Sequence, residues 1–215
     1  MRTKEEIFER VLRMRDALFP GRPGVADCLG LATAGIITLR AEGIKAVMQA
    51  GTMNWRVVAD ELDDGTSPTH FTYEWSPDAP ASKRSVAMGN LPEMHCWIGV
   101  ASSQELIDLS THGLVARARE AGFVWRAPEP PPFLWCAVNE QPDCVRYAAN
   151  MAATQYAGSK AVGMINQYNM AEGDLHHRPG HQDVEHRPLA GIVGRLAGPI
   201  RKGSIPFTVR AQPPV

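Results

Sequence analysis

Residues 26–44 read "ADCLGLATAGIITLRAEGI". Their spacing predicts a helix, with Asp27 as N-cap and Gly43 followed by Ile44 as a glycine stop. A cysteine, Cys28, sits in the first turn. Free cysteine is among the more buried residue types and often does nothing but pack. A helix N-terminus also lowers a thiol pKa, however, and so prepares a nucleophile. Cys28, Ala32, Gly35 and Leu39 fall along one helical face, where the small residues at 32 and 35 let a neighbouring element come close. The thiol would then point at whatever that face packs against.

The sequence around this helix predicts an α+β fold. Upstream, Thr3 and Glu6 fit a capping box, and Ile7, Val11, Leu12, Met14 and Leu18 recur at helical spacing over residues 4–18. "FPGRPG" (19–24) ends that helix, because Pro20 and Pro23 cannot continue the ladder. Downstream, "KAVMQAG" (45–51), "WRVVADEL" (55–62) and "THFTYEW" (69–75) read as short strands, the last two divided by the turn "DDGTSP". Residues 76–92 read as a surface loop. "MHCWIGVA" (94–101) and "ELIDLS" (105–110) form a predicted hairpin with its turn at Ser102 and Ser103. "THGLVARAREAG" (111–122) is a predicted helix, "APEPPPF" (127–133) is extended, and the alanine-rich stretch from Pro142 to Tyr168 reads as mostly helical, with Gly158 and Gly163 as possible breaks. We therefore expect a domain over 1–168, antiparallel strands with helices packed on them, and a partly irregular C-terminal appendage over 169–215. Neither G-x-G-x-x-G nor a G-x-x-x-x-G-K-[ST] phosphate loop occurs.

Composition narrows the function. The chain has 215 residues, 44% of them hydrophobic, enough for a domain with a real core. A formal net charge of −1 gives no global basic field for nucleic acid. The cysteines at 28, 96, 136 and 144 include no C-x-x-C pair and do not look like a disulfide framework. The charged N-terminus lacks a signal-peptide core, and no apolar run of about 18 residues is present. The expectation is a soluble cytoplasmic protein without a membrane partner.

Strand alternation puts His95, Trp97 and Gly99 on one face and Met94, Cys96, Ile98 and Val100 on the other. The second set reads as core, the first as the wall of a site. On the next strand Leu106, Asp108 and Ser110 share a face, and a lone acid between core aliphatics needs a partner. If the register sets residue 95 opposite 108 or 110, His95 and Asp108 can meet. A slip of one residue separates them. Cys28, His95 and Asp108 together make a thiol triad in the general sense: nucleophile, proton carrier and orienting acid. The backbone N–H of Cys28 would serve an oxyanion, with Gln49 or Trp55 as the second donor.

These residues resemble the transglutaminase-like cysteine hydrolases of the papain-like group. The resemblance rests on "DCLGLATAGIITLRAEGIKAVMQAG", "HCWIGV" with its histidine and Trp97 two residues on, and "LIDLS", and it covers residues 26–110. It implies Cys28 as nucleophile, His95 as base and Asp108 as orienting acid, with Trp97 near the substrate. It also implies a protease or amidase acting on a peptide or protein through an acyl-enzyme, without a cofactor. The group includes transglutaminases, which use an amine acceptor, and members that have lost activity and serve as binding or scaffold proteins.

Other side chains have plainer readings. Cys96, Cys136 and Cys144 are assigned to packing, and His70 to a strand surface. His112 is the runner-up imidazole. The histidines at 176, 177, 181 and 186 invite a zinc reading, but Pro179 and Gly180 break the helical spacing and H-E-x-x-H is absent. Cys28, His95 and Asp108 could themselves ligate zinc. The oligomeric state is not legible.

Overall fold

Eleven successive residues, Leu29–Leu39, are buried in one helix, so it is wrapped on every side rather than laid on a surface. This helix, α2 (Cys28–Ala41), is the centre of the first core. The computed structural model describes residues 2–19, 28–59, 62–63, 65, 68–74, 83 and 94–176, with side chains to 166. Around α2 come α1 (Lys4–Leu18), β1 (Ala46–Arg56), β2 (His70–Tyr73), β3 (His95–Val100), β4 (Glu105–Asp108), a 3-10 turn at Thr111–Gly113, α3 (Leu114–Glu120), β5 (Leu134–Ala137), a second 3-10 turn at Val138–Glu140, β6 (Val145–Ala149) and α4 (Met151–His176).

The helix ends follow the sequence closely. Thr3 and Glu6 close a reciprocal capping box on α1. At the end of α2, Ile44 N–H reaches the Leu39 carbonyl at 2.9 Å and Gly43 N–H the Arg40 carbonyl at 3.0 Å. Gly43 takes a φ of 81°, which a glycine tolerates without a Cβ penalty. The predicted cap Asp27 and the 76–92 loop, apart from Lys83, lie outside the described residues.

The six strands among the described residues form one antiparallel sheet, ordered β2-β1-β3-β4-β5, with β6 also on β1. β1 pairs with β3 through its first half (Ala46↔Val100 to Gly51↔His95), then with β2 (Met53↔Tyr73 to Arg56↔His70). β6 pairs with the second half (Gly51↔Ala149 to Trp55↔Val145). Alternation along β1 sends Ala46, Met48 and Ala50 to the core shared with α1, α2 and α4, and Met53 and Trp55 to a second core with α3. Gly35 brings α2 hard against the sheet: a Cβ there would lie 2.5 Å from the ends of both Ile98 and Leu109.

Three expectations are corrected. The predicted strands 45–51 and 55–62 are one strand, β1, that runs straight through Gly51 to Arg56. The glycine marks a close backbone approach, since a Cβ there would lie 2.1 Å from the Ala148 carbonyl oxygen. The start of the predicted 142–168 helix is instead β6, whose Val145 and Tyr147 are buried while Arg146 and Ala148 are exposed. The helix α4 begins after it, with Asn150 Oδ1 accepting from Ala152 N–H at 2.9 Å and Ala153 N–H at 3.2 Å. It runs unbroken past Gly158 and Gly163 to His176. β5 follows the extended "APEPPPF" segment where no strand was expected.

Candidate active site

Register decides whether His95 and Asp108 meet. β3 and β4 pair Ile98 with Ile107 and Val100 with Glu105. Continued toward the strand ends, that register sets Trp97 opposite Asp108 and His95 opposite Ser110, all on one face of the hairpin. Within it, His95 Nε2 lies 2.6 Å from Asp108 Oδ2, with side-chain exposures of 1% and 0%.

Asp108 is held by four hydrogen bonds. Oδ2 accepts from His95 and also from the Tyr147 hydroxyl at 2.7 Å. Oδ1 accepts from the Ser110 backbone N–H at 2.9 Å and the Ser110 hydroxyl at 2.7 Å. Burial alone would raise this carboxyl. The charge and hydrogen bond of His95, then the donors of Ser110 and Tyr147, outweigh it and hold Asp108 below its ordinary value. Burial likewise pulls His95 down, but Asp108, followed by Cys28, holds the ring up at about 10. Both shifts favour the charged pair, an imidazolium beside a carboxylate.

Cys28 opens α2 beside the start of β3. Its thiol points to the Met94 carbonyl, 3.9 Å away, on the residue before His95. It is also close enough to act electrostatically on the ring. His95 Nδ1, the nitrogen turned away from Asp108, is buried and makes no hydrogen bond. Cys28 and Asp108 thus both approach His95.

Aromatic rings enclose the imidazole. Tyr73 is tilted over it at a centroid distance of 5.1 Å, Trp97 stacks at 6.3 Å and Tyr147 lies at 6.0 Å. The predicted site wall is therefore a second buried core, with Trp97 only 4% exposed. Tyr73 and Tyr147 escaped sequence reasoning, although each holds an apolar position in a period-2 stretch.

Gln49 and Trp55 are not at the thiol. Gln49 sits opposite Trp97, and its side chain packs on Gly99, four residues along β3 from His95. There it lines a small cavity with Trp97, Glu105, Leu106, Gln141 and Tyr147. Trp55 is buried in the second core, opposite Phe71 and Val145. The runner-up imidazole His112 is exposed, edge-on to Phe8 and bonded to the Pro132 carbonyl. His70 bonds its neighbour Thr69 at 2.9 Å. Cys96 is buried in the first core, and burial pushes the half-buried thiols of Cys136 and Cys144 up.

Among the described residues no group of three or more His, Cys, Asp and Glu converges as a metal site. The side chains of the histidines from 176 onward lie outside those residues. No described helix is long and apolar enough to cross a membrane.

No family model matches the chain, and no curated protein matches it. A solved crystal structure of a genomics target is 14% identical, covering 85% of this chain and 84% of its own at a TM-score of 0.43.

Proposed function

We propose that this chain is a thiol-dependent hydrolase of transglutaminase-like, papain-like type, acting on an amide or peptide bond of a peptide or protein. The observation that supports it best is the buried 2.6 Å His95–Asp108 contact, with a helix-opening thiol close enough to act on the same ring. A cation beside that thiol favours the thiolate, which is the nucleophilic form. In the reaction, Cys28 sulfur forms a bond to the carbonyl carbon and the π pair moves to oxygen. Collapse breaks the C–N bond, the amine takes its proton from His95, and a thioester remains on Cys28. Water then adds to the thioester carbon and gives a proton to His95, and collapse breaks the C–S bond to release the acid and the Cys28 thiolate. Asp108 keeps the ring oriented and its charge balanced throughout.

Site-resolved alkylation by iodoacetamide across pH tests this in the wild type and in His95→Ala. Cys28 alone reacts fast near pH 6 and slows in the variant, after which amide substrates are screened. A second reading, a binding protein with an inert thiol, draws on the buried Nδ1 that makes no hydrogen bond. Under that reading Cys28 behaves like the other three cysteines in both proteins, and the hydrolase is discarded.

A further inference from the structure

Gln49 and Trp55 are not at the thiol, yet a phenol ring packs on the imidazole beside it. β2 and β3 lie end to end along one edge of β1, since Gly51 faces His95 and Met53 faces Tyr73. The last residue of β2 therefore meets the first residue of β3. The two rings are 5.1 Å apart and inclined at 31°. Phe71 fixes the Tyr73 ring from the other side, edge-on at 5.0 Å. The half-buried Tyr73 hydroxyl makes no hydrogen bond to the described residues.

We propose that Tyr73 is a catalytic residue whose hydroxyl donates to the oxyanion formed when Cys28 attacks a carbonyl. This rests on the hydrolase reading above and names an oxyanion donor, which that reading lacks. The phenol is suited to the task because it stays protonated: burial first, then the Cys28 charge, push it up to about 12. In acyl transfer, a preorganised donor aimed at the developing charge commonly supplies a large share of the rate enhancement.

Two reagents separate this role from the reactivity of the thiol itself. p-Nitrophenyl acetate acylates Cys28 through an oxyanion, forming the C–S bond and expelling p-nitrophenolate. Iodoacetamide alkylates the same sulfur by displacing iodide, with no oxyanion. Both rates are measured on full-length wild type, Tyr73→Phe and His95→Ala. Tyr73→Phe keeps the ring that packs on His95 and removes only the hydroxyl. The expected result is a fall of about 100-fold in acylation with alkylation nearly unchanged. Unchanged acylation overturns the proposal and leaves the nucleophile standing. A parallel fall in both rates also overturns it, because Tyr73 would then act only by supporting the thiol–imidazole pair. If wild-type Cys28 reacts with neither reagent, the hydrolase reading fails and the oxyanion donor with it.

Discussion

His95 Nε2 and Tyr147 Oη converge on the same oxygen of Asp108, at 2.6 and 2.7 Å. They reach it from β3 and β6, which lie on opposite sides of β1. One buried carboxylate thus ties together three strands and, through Ser110, the start of the following turn. Removing it leaves several donors without an acceptor, one of them charged. Asp108→Ala should cost about 3–5 kcal/mol, the usual range for breaking a buried pair from one side. Urea unfolding of the two proteins measures it. A loss under about 1 kcal/mol would mean that water replaces the carboxylate.

Tyr147→Phe removes one of those donors and keeps the ring against Trp97, 5.1 Å away. Oδ2 retains His95, so the expected loss is smaller, about 1–3 kcal/mol. Asp108→Ala already lacks the acceptor, so adding Tyr147→Phe to it should cost much less than it does in the wild type. Additive losses in this cycle would assign the effect to packing.

The pair sets a pH dependence whose sign follows from its two shifts. His95 is raised to about 10 in the folded state against an ordinary value near 6.5. Between those values the folded protein holds a proton that the unfolded chain has lost, so stability falls as pH rises. Asp108 is lowered, so its contribution is present above the ordinary carboxylate range and is lost as pH falls through the folded value. The joint contribution is greatest from about pH 4 to about pH 6.5. Thermal denaturation from pH 5 to 9.5 should show wild type losing stability faster than His95→Gln above pH 6.5. Parallel curves would contradict a charged His95 in the folded protein.

Some of this was readable because local chemistry and global structure agree. The capping box at Thr3, the glycine stop at Gly43 and the division of residues 94–100 between two faces depend on periods and caps that act over a few residues. The strand register does not, since either pairing of the hairpin satisfies the same alternation until a turn fixes it. Gln104, at a φ of 54°, sits in that turn. β6 was hidden by its alanines, which suit a helix better than a strand. Its pairing with β1 and the contact of Tyr147 with Asp108 are tertiary facts that override that preference. Tyr73 was hidden for a related reason: only the end-to-end placement of β2 and β3 on β1 brings it to His95.

Gly51 is the position on which the pairing of β6 with β1 depends. It faces His95 on one side and Ala149 on the other. A Cβ there would lie 2.1 Å from the Ala148 carbonyl oxygen, 2.9 Å from Asn150 N and 3.1 Å from Ala149 Cα. All three are backbone atoms, so the strand itself must move. Gly35 offers the contrast, because a Cβ there meets the ends of two flexible side chains, Ile98 and Leu109, at 2.5 Å. Those ends can change rotamer, although the well-packed core limits them. Gly51→Ala should therefore cost at least the upper part of the usual overpacking range, about 3 kcal/mol, and Gly35→Ala about 1–2 kcal/mol. Moving β6 also carries Tyr147 away from Asp108, so Tyr147→Phe should add little in the Gly51→Ala background. Guanidinium unfolding of both single variants and of the Gly51–Tyr147 double variant tests the order and the coupling. A Gly51→Ala protein as stable as wild type would show that β6 can leave β1 without cost, and the route from Gly51 to the Asp108 carboxylate would be lost.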